Sequence, residues 1–234
     1  MPAHIGIVAC SGPGAALCWE TICAEAPATL GGHAHPEVSM HAFSFGEHMR
    51  LLEADDWPGI GGLMLASVRK LAAMGADFAI CPDNTIHQAL PWVLPASPLP
   101  WLHIAEVVAA EAVRSGARRV GILGTRWLVE GEVYPEKLDA AGVAWCRPPV
   151  AERDVVNGII FGDLVYGRVA DEGRRALVGI VERLGTRDGC DAVVLGCTEL
   201  PLVLTPDVCP LPGLDSTRLL ARAAIARAAA ADAS

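Results

Sequence analysis

Residues 75–85, Gly-Ala-Asp-Phe-Ala-Ile-Cys-Pro-Asp-Asn-Thr, align without a gap on residues 189–199, Gly-Cys-Asp-Ala-Val-Val-Leu-Gly-Cys-Thr-Glu. In each stretch an apolar run typical of a strand is followed by polar residues, and the alignment places Asp83 opposite Cys197. Upstream, His4-Ile5-Gly6-Ile7-Val8 matches Arg119-Val120-Gly121-Ile122-Leu123 at nearly the same offset. We therefore predict two halves of similar plan, each with one acid/base group at a strand end.

Charge and hydropathy exclude several classes of protein. The 234-residue chain has a formal net charge of -9, which disfavours a nucleic-acid surface that follows phosphates. No apolar run approaches the roughly 20 residues that cross a bilayer, and the first residues lack the pattern of a secretion signal. We expect a cytoplasmic protein with neither a nucleic-acid nor a membrane partner.

The eight cysteines form no Cys-x-x-Cys pair. Without a secretion signal they are better interpreted as reduced thiols than as a disulfide framework. A tetrathiolate zinc site is disfavoured because no Cys-x-x-Cys pair is present. We expect no metal, since a site built from His33, His35, His41 and His48 would need a shared face and usually a carboxylate.

Short apolar runs alternate with longer segments of helical periodicity, which predicts an α/β fold with mostly parallel sheets flanked by helices. The predicted strands lie near 4–10, 37–43, 77–81, 100–104, 119–124, 143–146 and 191–196. The predicted helices are 13–26, 46–54, 59–74, 105–116, 128–141, 152–167, 170–185 and 216–230. Glycines at or just past the ends of several helices support this division.

A proline-rich stretch over residues 90–100 marks the predicted crossover between the halves, since it fits neither a regular helix nor a central strand. A final Ala-rich helix follows a second proline-rich stretch and is predicted to return to the first half. The predicted domains are residues 1–97 with 214–234, and residues 98–213.

Ligands of open α/β sheets collect at the carboxyl ends of the strands, so residues that follow strands are the first functional candidates. Cys197, Asp83, Ser11 and Thr125 hold such positions. Thr198-Glu199-Leu200-Pro201 predicts a new helix after Cys197, whose thiolate the helix N-terminus would stabilise. The alternative for Cys197 is a small buried apolar residue.

Asp83 lies in a dense polar segment after its strand. One interpretation is a turn or capping aspartate. The other is that Asp83 faces Cys197 while Asn84, Thr85 and Thr198 bind a substrate carboxylate. Cys81 shares a strand face with Asp83 by alternation and is a second candidate for the acid/base group.

Several segments resemble one known family. Gly196-Cys197-Thr198-Glu199-Leu200-Pro201 is similar to the second cysteine motif of the aspartate racemase branch, and Asn84-Thr85-Ile86-His87 to the tail of the first. Smaller matches are Ser11-Gly12-Pro13, Leu102-His103-Ile104, Gly121-Ile122-Leu123-Gly124-Thr125 and Leu214-Asp215-Ser216-Thr217. The chain thus resembles the cofactor-independent aspartate/glutamate racemase superfamily over almost its whole length.

The resemblance implies two similar α/β domains related by pseudo-twofold symmetry, an active site between them, and commonly a homodimer. It implies two cysteines that move a proton on opposite faces of Cα, but Asp83 occupies the first cysteine position here. We expect a cofactor-independent racemase of aspartate or glutamate that uses Cys197 and Asp83. Pyridoxal phosphate is not expected, because Lys70 and Lys137 both lie in helical, exposed patterns.

The expected substrate-binding residues are Ser11, Asn84, Thr85, Thr125, Thr198 and Glu199. A basic residue would hold a second carboxylate, and His48, Arg50 and Arg168 are the candidates, with a solvated helix-end charge as the alternative for Arg168. Two other functions remain open. One is a decarboxylase or cis–trans isomerase of a small dicarboxylate that uses Cys197 alone, and the other is a small-molecule binding protein without turnover.

Overall fold

The computed structural model describes residues 1–231, which form two compact units. The first unit comprises residues 1–107 and the described residues from Thr217 onward, and the second unit is Val108–Ser216.

The elements of the first unit alternate between strands and helices. They are β1 Ile5–Ala9, α1 Gly12–Glu25, α2 Pro27–Leu30, β2 Val38–Ala42, α3 Phe45–Glu53, α4 Trp57–Ala73, β3 Phe78–Ile80, α5 Leu90–Val93 and β4 Trp101–Leu102, with 3-10 helices at Thr85–Ala89 and Leu94–Ala96. Helix α6, Ile104–Ser115, then leads into the second unit.

The second unit repeats this alternation. It contains β5 Arg119–Leu123, α7 Arg126–Glu130, α8 Val133–Ala140, β6 Ala144–Cys146, α9 Val150–Gly162, α10 Asp171–Thr186, β7 Ala192–Leu195 and β8 Gly213–Asp215, with 3-10 helices at Leu164–Tyr166 and Leu200–Leu202. Helix α11, Ser216–Ala230, returns the chain to the first unit.

Each unit is built on a four-stranded parallel sheet, with the orders β2-β1-β3-β4 and β6-β5-β7-β8. The two orders are the same when the strands are counted within each unit. The predicted class of two similar α/β domains with mostly parallel sheets is confirmed.

The strand register confirms the internal repeat residue by residue. Gly6 lies beside Ala79 in the first sheet, and Gly121 lies beside Val193 in the second. These are the pairs that the sequence alignment makes equivalent. The two halves therefore share a plan down to the pairing of single residues.

In each unit, one aspartate links the starts of the two central strands of that unit's own sheet. Asp77 Oδ2 accepts a hydrogen bond from the His4 N–H at 2.7 Å, and Asp191 Oδ1 accepts one from the Arg119 N–H at 3.1 Å. These two aspartates are equivalent in the sequence repeat. The Gly-x-Asp that begins each copy of the repeat therefore has a structural role.

The helix predicted over 128–141 is wrong, because two helices occupy this region. Helix α7 ends at Glu130, and the following Gly131 caps it through N–H bonds to the Trp127 and Leu128 carbonyls. Helix α8 begins at Val133 and includes Pro135 in its first turn, where no N–H is needed.

The proline-rich stretch does not connect the halves. It holds α5 and the 3-10 helix Leu94–Ala96, each with a proline in its first turn, and leads to β4, which pairs with β3 in the first sheet. Helix α6 makes the crossover instead. The sequence predicts limits at 97/98 and 213/214, and the two compact units divide at 107/108 and 216/217.

A separate apolar core supports each unit. In the first, β1, β3 and α1 pack with the returning helix α11, whose Leu220, Ala221 and Ala224 are fully buried. In the second, Val193 and Leu195 of β7 pack with α9 and α10. None of the helices within residues 1–231 is both long and apolar enough to span a bilayer.

Candidate active site

Asp83 stands in the loop that follows β3 and is half-buried. Its Oδ1 accepts a hydrogen bond from the Ile86 N–H at 3.1 Å, so the carboxylate caps the turn that opens the 3-10 helix Thr85–Ala89. The capping interpretation is therefore right in structural terms.

Cys10 is the neighbour of Asp83 that sequence reasoning missed. Ile7 lies beside Ile80 in the sheet, and Cys10 and Asp83 each follow these residues by three positions. Asp83 is the charged group that acts most strongly on the Cys10 thiol. Burial, and next the charge of Asp83, raises the pKa of the Cys10 thiol well above its usual value, so this group is a protonated donor.

Cys81 lies inside the first unit, fully buried at the end of β3. Its thiol donates to the Asp83 main-chain carbonyl, with a donor–acceptor distance of 3.8 Å. Burial, followed by the Asp83 charge, raises the pKa of Cys81. The geometry gives Cys81 a role in holding the Asp83 loop.

His87 fixes the same loop from its other side. Its Nδ1 lies 2.7 Å from the Asp83 carbonyl and its Nε2 accepts from the Ile104 N–H at 3.3 Å, so the ring is neutral with the proton on Nδ1. Burial lowers the pKa of His87 to about 3, and the nearby His103 acts in the same direction. His87 thus joins the loop after β3 to the start of α6.

Cys197 follows β7 in the second unit and is half-buried. Its Sγ donates to Glu199 Oε2 at 2.9 Å, and the Thr198 hydroxyl donates to the same oxygen at 2.8 Å. Glu199, only 7% exposed, therefore receives both neighbouring donors. A thiol bonded to a carboxylate has an acceptor for its proton at hand.

The helix predicted after Cys197 is only the three-residue 3-10 helix Leu200–Leu202. So short a segment offers no helix dipole to a thiolate, and that argument for Cys197 is wrong. Instead of a helix dipole, the Glu199 carboxylate is the group that acts on the Cys197 thiol. The sequence showed Glu199 within the motif, but its side-chain direction depends on the fold.

Gly196 lets the Cys197 loop pass close to the loop after β5. A Cβ at Gly196 would lie 2.5 Å from Leu128 Cδ2 and 2.8 Å from the Leu123 carbonyl oxygen. A Cβ at Gly124 would lie 2.7 Å from Leu128 Cδ2 and 3.1 Å from the Gly196 oxygen. No side chain fits between these loops, which fixes the position of Cys197.

Ser11 and Thr125 occupy matching places, since each caps the helix that follows the first strand of its unit. Ser11 Oγ accepts from the Gly14 N–H, and Thr125 Oγ1 accepts from the Leu128 N–H. Both residues remain candidates for binding a carboxylate.

The other expected substrate-binding residues lie in the two loops already described. Asn84 and Thr85 are 3% and 7% exposed beside Asp83, and Thr198 is 9% exposed beside Cys197. Polar side chains this deeply placed are costly unless they are satisfied, which marks both loops as organised polar sites.

The three basic candidates differ in position. His48 is buried on α3, with its Nδ1 3.4 Å from the Ser44 carbonyl oxygen, and Arg50 on the same helix is exposed. Arg168 is exposed, bonds the Gly162 carbonyl, pairs with Asp163 and stacks on Tyr166. Local contacts therefore account for the Arg168 geometry.

Within residues 1–231, no cluster of three or more His, Cys, Asp or Glu side chains is arranged for a metal ion. His41 Nδ1 lies 2.9 Å from Ser67 Oγ and its Nε2 lies 2.9 Å from Lys70 Nζ. Lys137 pairs with Glu136. All eight cysteines are free thiols.

Comparison with known proteins finds one matching family and several relatives. The profile of the family described as Asp/Glu/Hydantoin racemase matches residues 8–224. A glutamate racemase from Thermus thermophilus is 31% identical in an alignment of 184 residues that covers 74% of this chain and 66% of that protein. The chain thus spans just under two thirds of the length of that relative.

Solved structures share the fold over nearly the whole chain. A candidate Asp/Glu racemase from Yersinia pestis has a TM-score of 0.88 at 27% identity, covering 97% of this chain and 99% of that one. An aspartate racemase homologue from Pyrococcus horikoshii has a TM-score of 0.84 at 25% identity with the same coverage.

Proposed function

Because the chain belongs to the Asp/Glu/hydantoin racemase family, we propose that it is a cofactor-independent amino-acid racemase that acts on aspartate or glutamate. The observation that carries the proposal is the hydrogen bond from the Cys197 thiol to the Glu199 carboxylate at 2.9 Å. It supplies a proton-transfer group at the carboxyl end of a central strand, where ligands of such sheets bind.

In the proposed mechanism Asp83 and Cys197 act on opposite faces of the substrate Cα. The Asp83 carboxylate takes the Cα proton, the C–H electron pair passes into the substrate carboxylate as an enediolate, and the Cys197 thiol returns a proton from the other face. In the reverse direction Asp83 starts as the protonated acid. Glu199 takes the thiol proton, the resulting thiolate removes the Cα proton, and the Asp83 carboxyl group returns a proton to the other face. Each cycle removes one proton from Cα and returns one.

The enediolate is the difficult species, because a free amino acid stabilises its carbanion poorly. Hydrogen-bond donors aimed at the substrate carboxylate lower its energy in a site that excludes water. We assign this role to Ser11, Asn84, Thr85, Thr125 and Thr198. The proposal requires no pyridoxal phosphate and no metal.

The test is exchange of the α-proton in D2O, followed by NMR, with both enantiomers of aspartate and glutamate. We expect exchange with inversion in the wild-type protein and its loss in Cys197→Ala. Cys209→Ala, which removes another half-buried thiol of the second unit, is the matched control and should retain activity.

The outcomes separate the proposed racemase from its rivals. Exchange that persists in Cys197→Ala would contradict the assigned role of Cys197. Absence of exchange with every amino acid, together with protonation of an enediolate formed from a substituted malonate, would favour the single-cysteine decarboxylase. Absence of both reactions would favour a binding protein.

A homodimer, which the family resemblance implies, and a cytoplasmic location are also part of the proposal. Light scattering coupled to size-exclusion chromatography measures the mass of the particle directly. A mass of one chain across micromolar concentrations would reject the dimer.

A further inference from the structure

Two thiols of the second unit lie against each other. Cys146 Sγ and Cys190 Sγ are 3.2 Å apart, within hydrogen-bond distance for sulfur. Cys146 ends β6 and Cys190 lies two residues before β7, and β5 stands between these two strands in the sheet. The contact therefore joins two segments whose strands are not neighbours and which are 44 residues apart in the sequence.

Helix α10 holds Cys190 close to the sheet. Gly121 of β5 pairs with Cys146, and a Cβ at Gly121 would lie 2.7 Å from Leu184 Cδ1. The absence of a side chain at Gly121 thus lets Leu184 of α10 pack against the strand. The Leu184 carbonyl in turn accepts the Cys190 N–H at 2.9 Å. The position of Cys190 beside Cys146 is therefore anchored through the main chain of α10.

The two thiols differ in their access to solvent. Cys190 is 5% exposed, whereas Cys146 is half-buried. Burial, and next the hydrogen bond with Cys146, raises the pKa of Cys190 to about 12, so this thiol keeps its proton at neutral pH. An oxidant from solvent therefore reaches Cys146 first and finds Cys190 in contact with it as a second thiol.

We propose that Cys146 and Cys190 are a redox-sensitive pair, which hydrogen peroxide closes to a disulfide and a dithiol reductant opens again. The Cys146 sulfur attacks the peroxide, gains one oxygen as a sulfenic acid and releases one water. The Cys190 sulfur then displaces that oxygen as a second water and forms the S–S bond. Two thiols and one hydrogen peroxide thus give one disulfide and two waters, and the two electrons that the sulfurs lose reduce the peroxide.

The disulfide ties the end of β6 to the segment that enters β7. Because the sulfurs are already in contact, the bond forms with little movement of the backbone. A link between segments this far apart in sequence restricts the unfolded chain, which stabilises the folded state. The pair is thus a reversible cross-link of the second unit, a property that goes beyond the proposed racemase function and does not depend on it.

The experiment treats the fully reduced protein with hydrogen peroxide, blocks the remaining thiols with iodoacetamide and maps the peptides without reductant. A protease that cleaves before aspartate places the four cysteines of the second unit on different peptides, since an aspartate stands between each neighbouring pair. We expect the peptides of Cys146 and Cys190 to be joined, with the loss of two hydrogen atoms. Dithiothreitol should separate them.

Cys190→Ser is the test variant and should lose the link. Cys209→Ser is the matched control and should keep it, because Cys209 is another thiol that packs against the core of the second unit. In the wild-type protein, oxidation should also move the midpoint of urea unfolding to higher urea and lower the equilibrium constant for unfolding by about 10- to 1000-fold. Cys146→Ser should show no such rise.

Peptides of Cys146 and Cys190 that stay separate after peroxide treatment of the wild-type protein overturn the inference. A link from Cys146 to another cysteine, a link between two chains or a urea midpoint that does not rise on oxidation overturns it as well. The mapping uses the wild-type chain, so a variant that fails to fold leaves the test intact. Neither readout needs a substrate, so failure of the proposed racemase function would leave both unaffected.

Discussion

At the scale of single residues, the two units use the same kinds of group in different arrangements. Asp83 has a thiol as its neighbour, and Cys197 has a carboxylate. The proposed acid/base group of each unit therefore has a neighbour of the other chemical type. The pairing is a property of the folded chain, since Cys10 and Asp83 are far apart in sequence.

Glu199→Gln tests the partner of Cys197. The amide accepts a hydrogen bond but does not take the thiol proton, so we expect kcat/KM to fall by about 10- to 100-fold. The loss should be equal in the two directions, because the equilibrium constant between enantiomers is one. Glu182→Gln on the exposed face of α10 is the control, and an equal loss there would refute the role of Glu199.

His87 should make stability depend on pH. Its folded pKa of about 3 lies below the ordinary 6.5, so between these values the unfolded chain binds a proton that the folded chain excludes. The stabilisation is present above pH 6.5 and is lost as the pH falls, by about 2 kcal/mol between pH 7 and pH 5. Urea unfolding at the two pH values measures this loss.

His87→Gln should remove that part of the pH dependence. His33→Gln, which changes an exposed ring, should keep it. An equal loss of unfolding free energy between pH 7 and pH 5 in wild type and His87→Gln would show that His87 is not held neutral.

At the scale of elements, the close approach of the loops after β5 and β7 places Cys197. Gly196→Ala introduces a Cβ at 2.5 Å from Leu128 and should destabilise the protein by about 1–3 kcal/mol. Gly158→Ala in α9 meets nothing within 4 Å and should be neutral or stabilising by up to about 1 kcal/mol. The midpoints of urea unfolding measure this difference between the two variants. Equal midpoints would contradict the packing argument.

At the scale of the whole molecule, helix α11 completes the core of the first unit after the chain has built the second. The Arg222 guanidinium also pairs with Glu25 on α1, with Nε 2.7 Å from Oε2. The first unit therefore depends on a segment from the other end of the chain, and its core closes only when that segment docks.

Leu220→Ala should cost about 2–5 kcal/mol, because it leaves a cavity at a fully buried site. Hydrogen exchange should rise in β1 and α1, which share this core. Leu202→Ala, at a 54% exposed site, should change stability by less than about 0.5 kcal/mol. Unchanged exchange in β1 would contradict the docking of α11.

The sequence by itself determined the alternation of strands and helices, the internal repeat and the two loops that carry Asp83 and Cys197. These features depend on local periodicity and on residues that act within a few positions. The tertiary structure decided that Cys10 lies near Asp83 and that the Cys197 thiol donates to Glu199. It also decided that β4 and β8 are the edge strands that complete the two sheets. Such contacts depend on strand register and side-chain direction between distant segments, which local patterns do not encode.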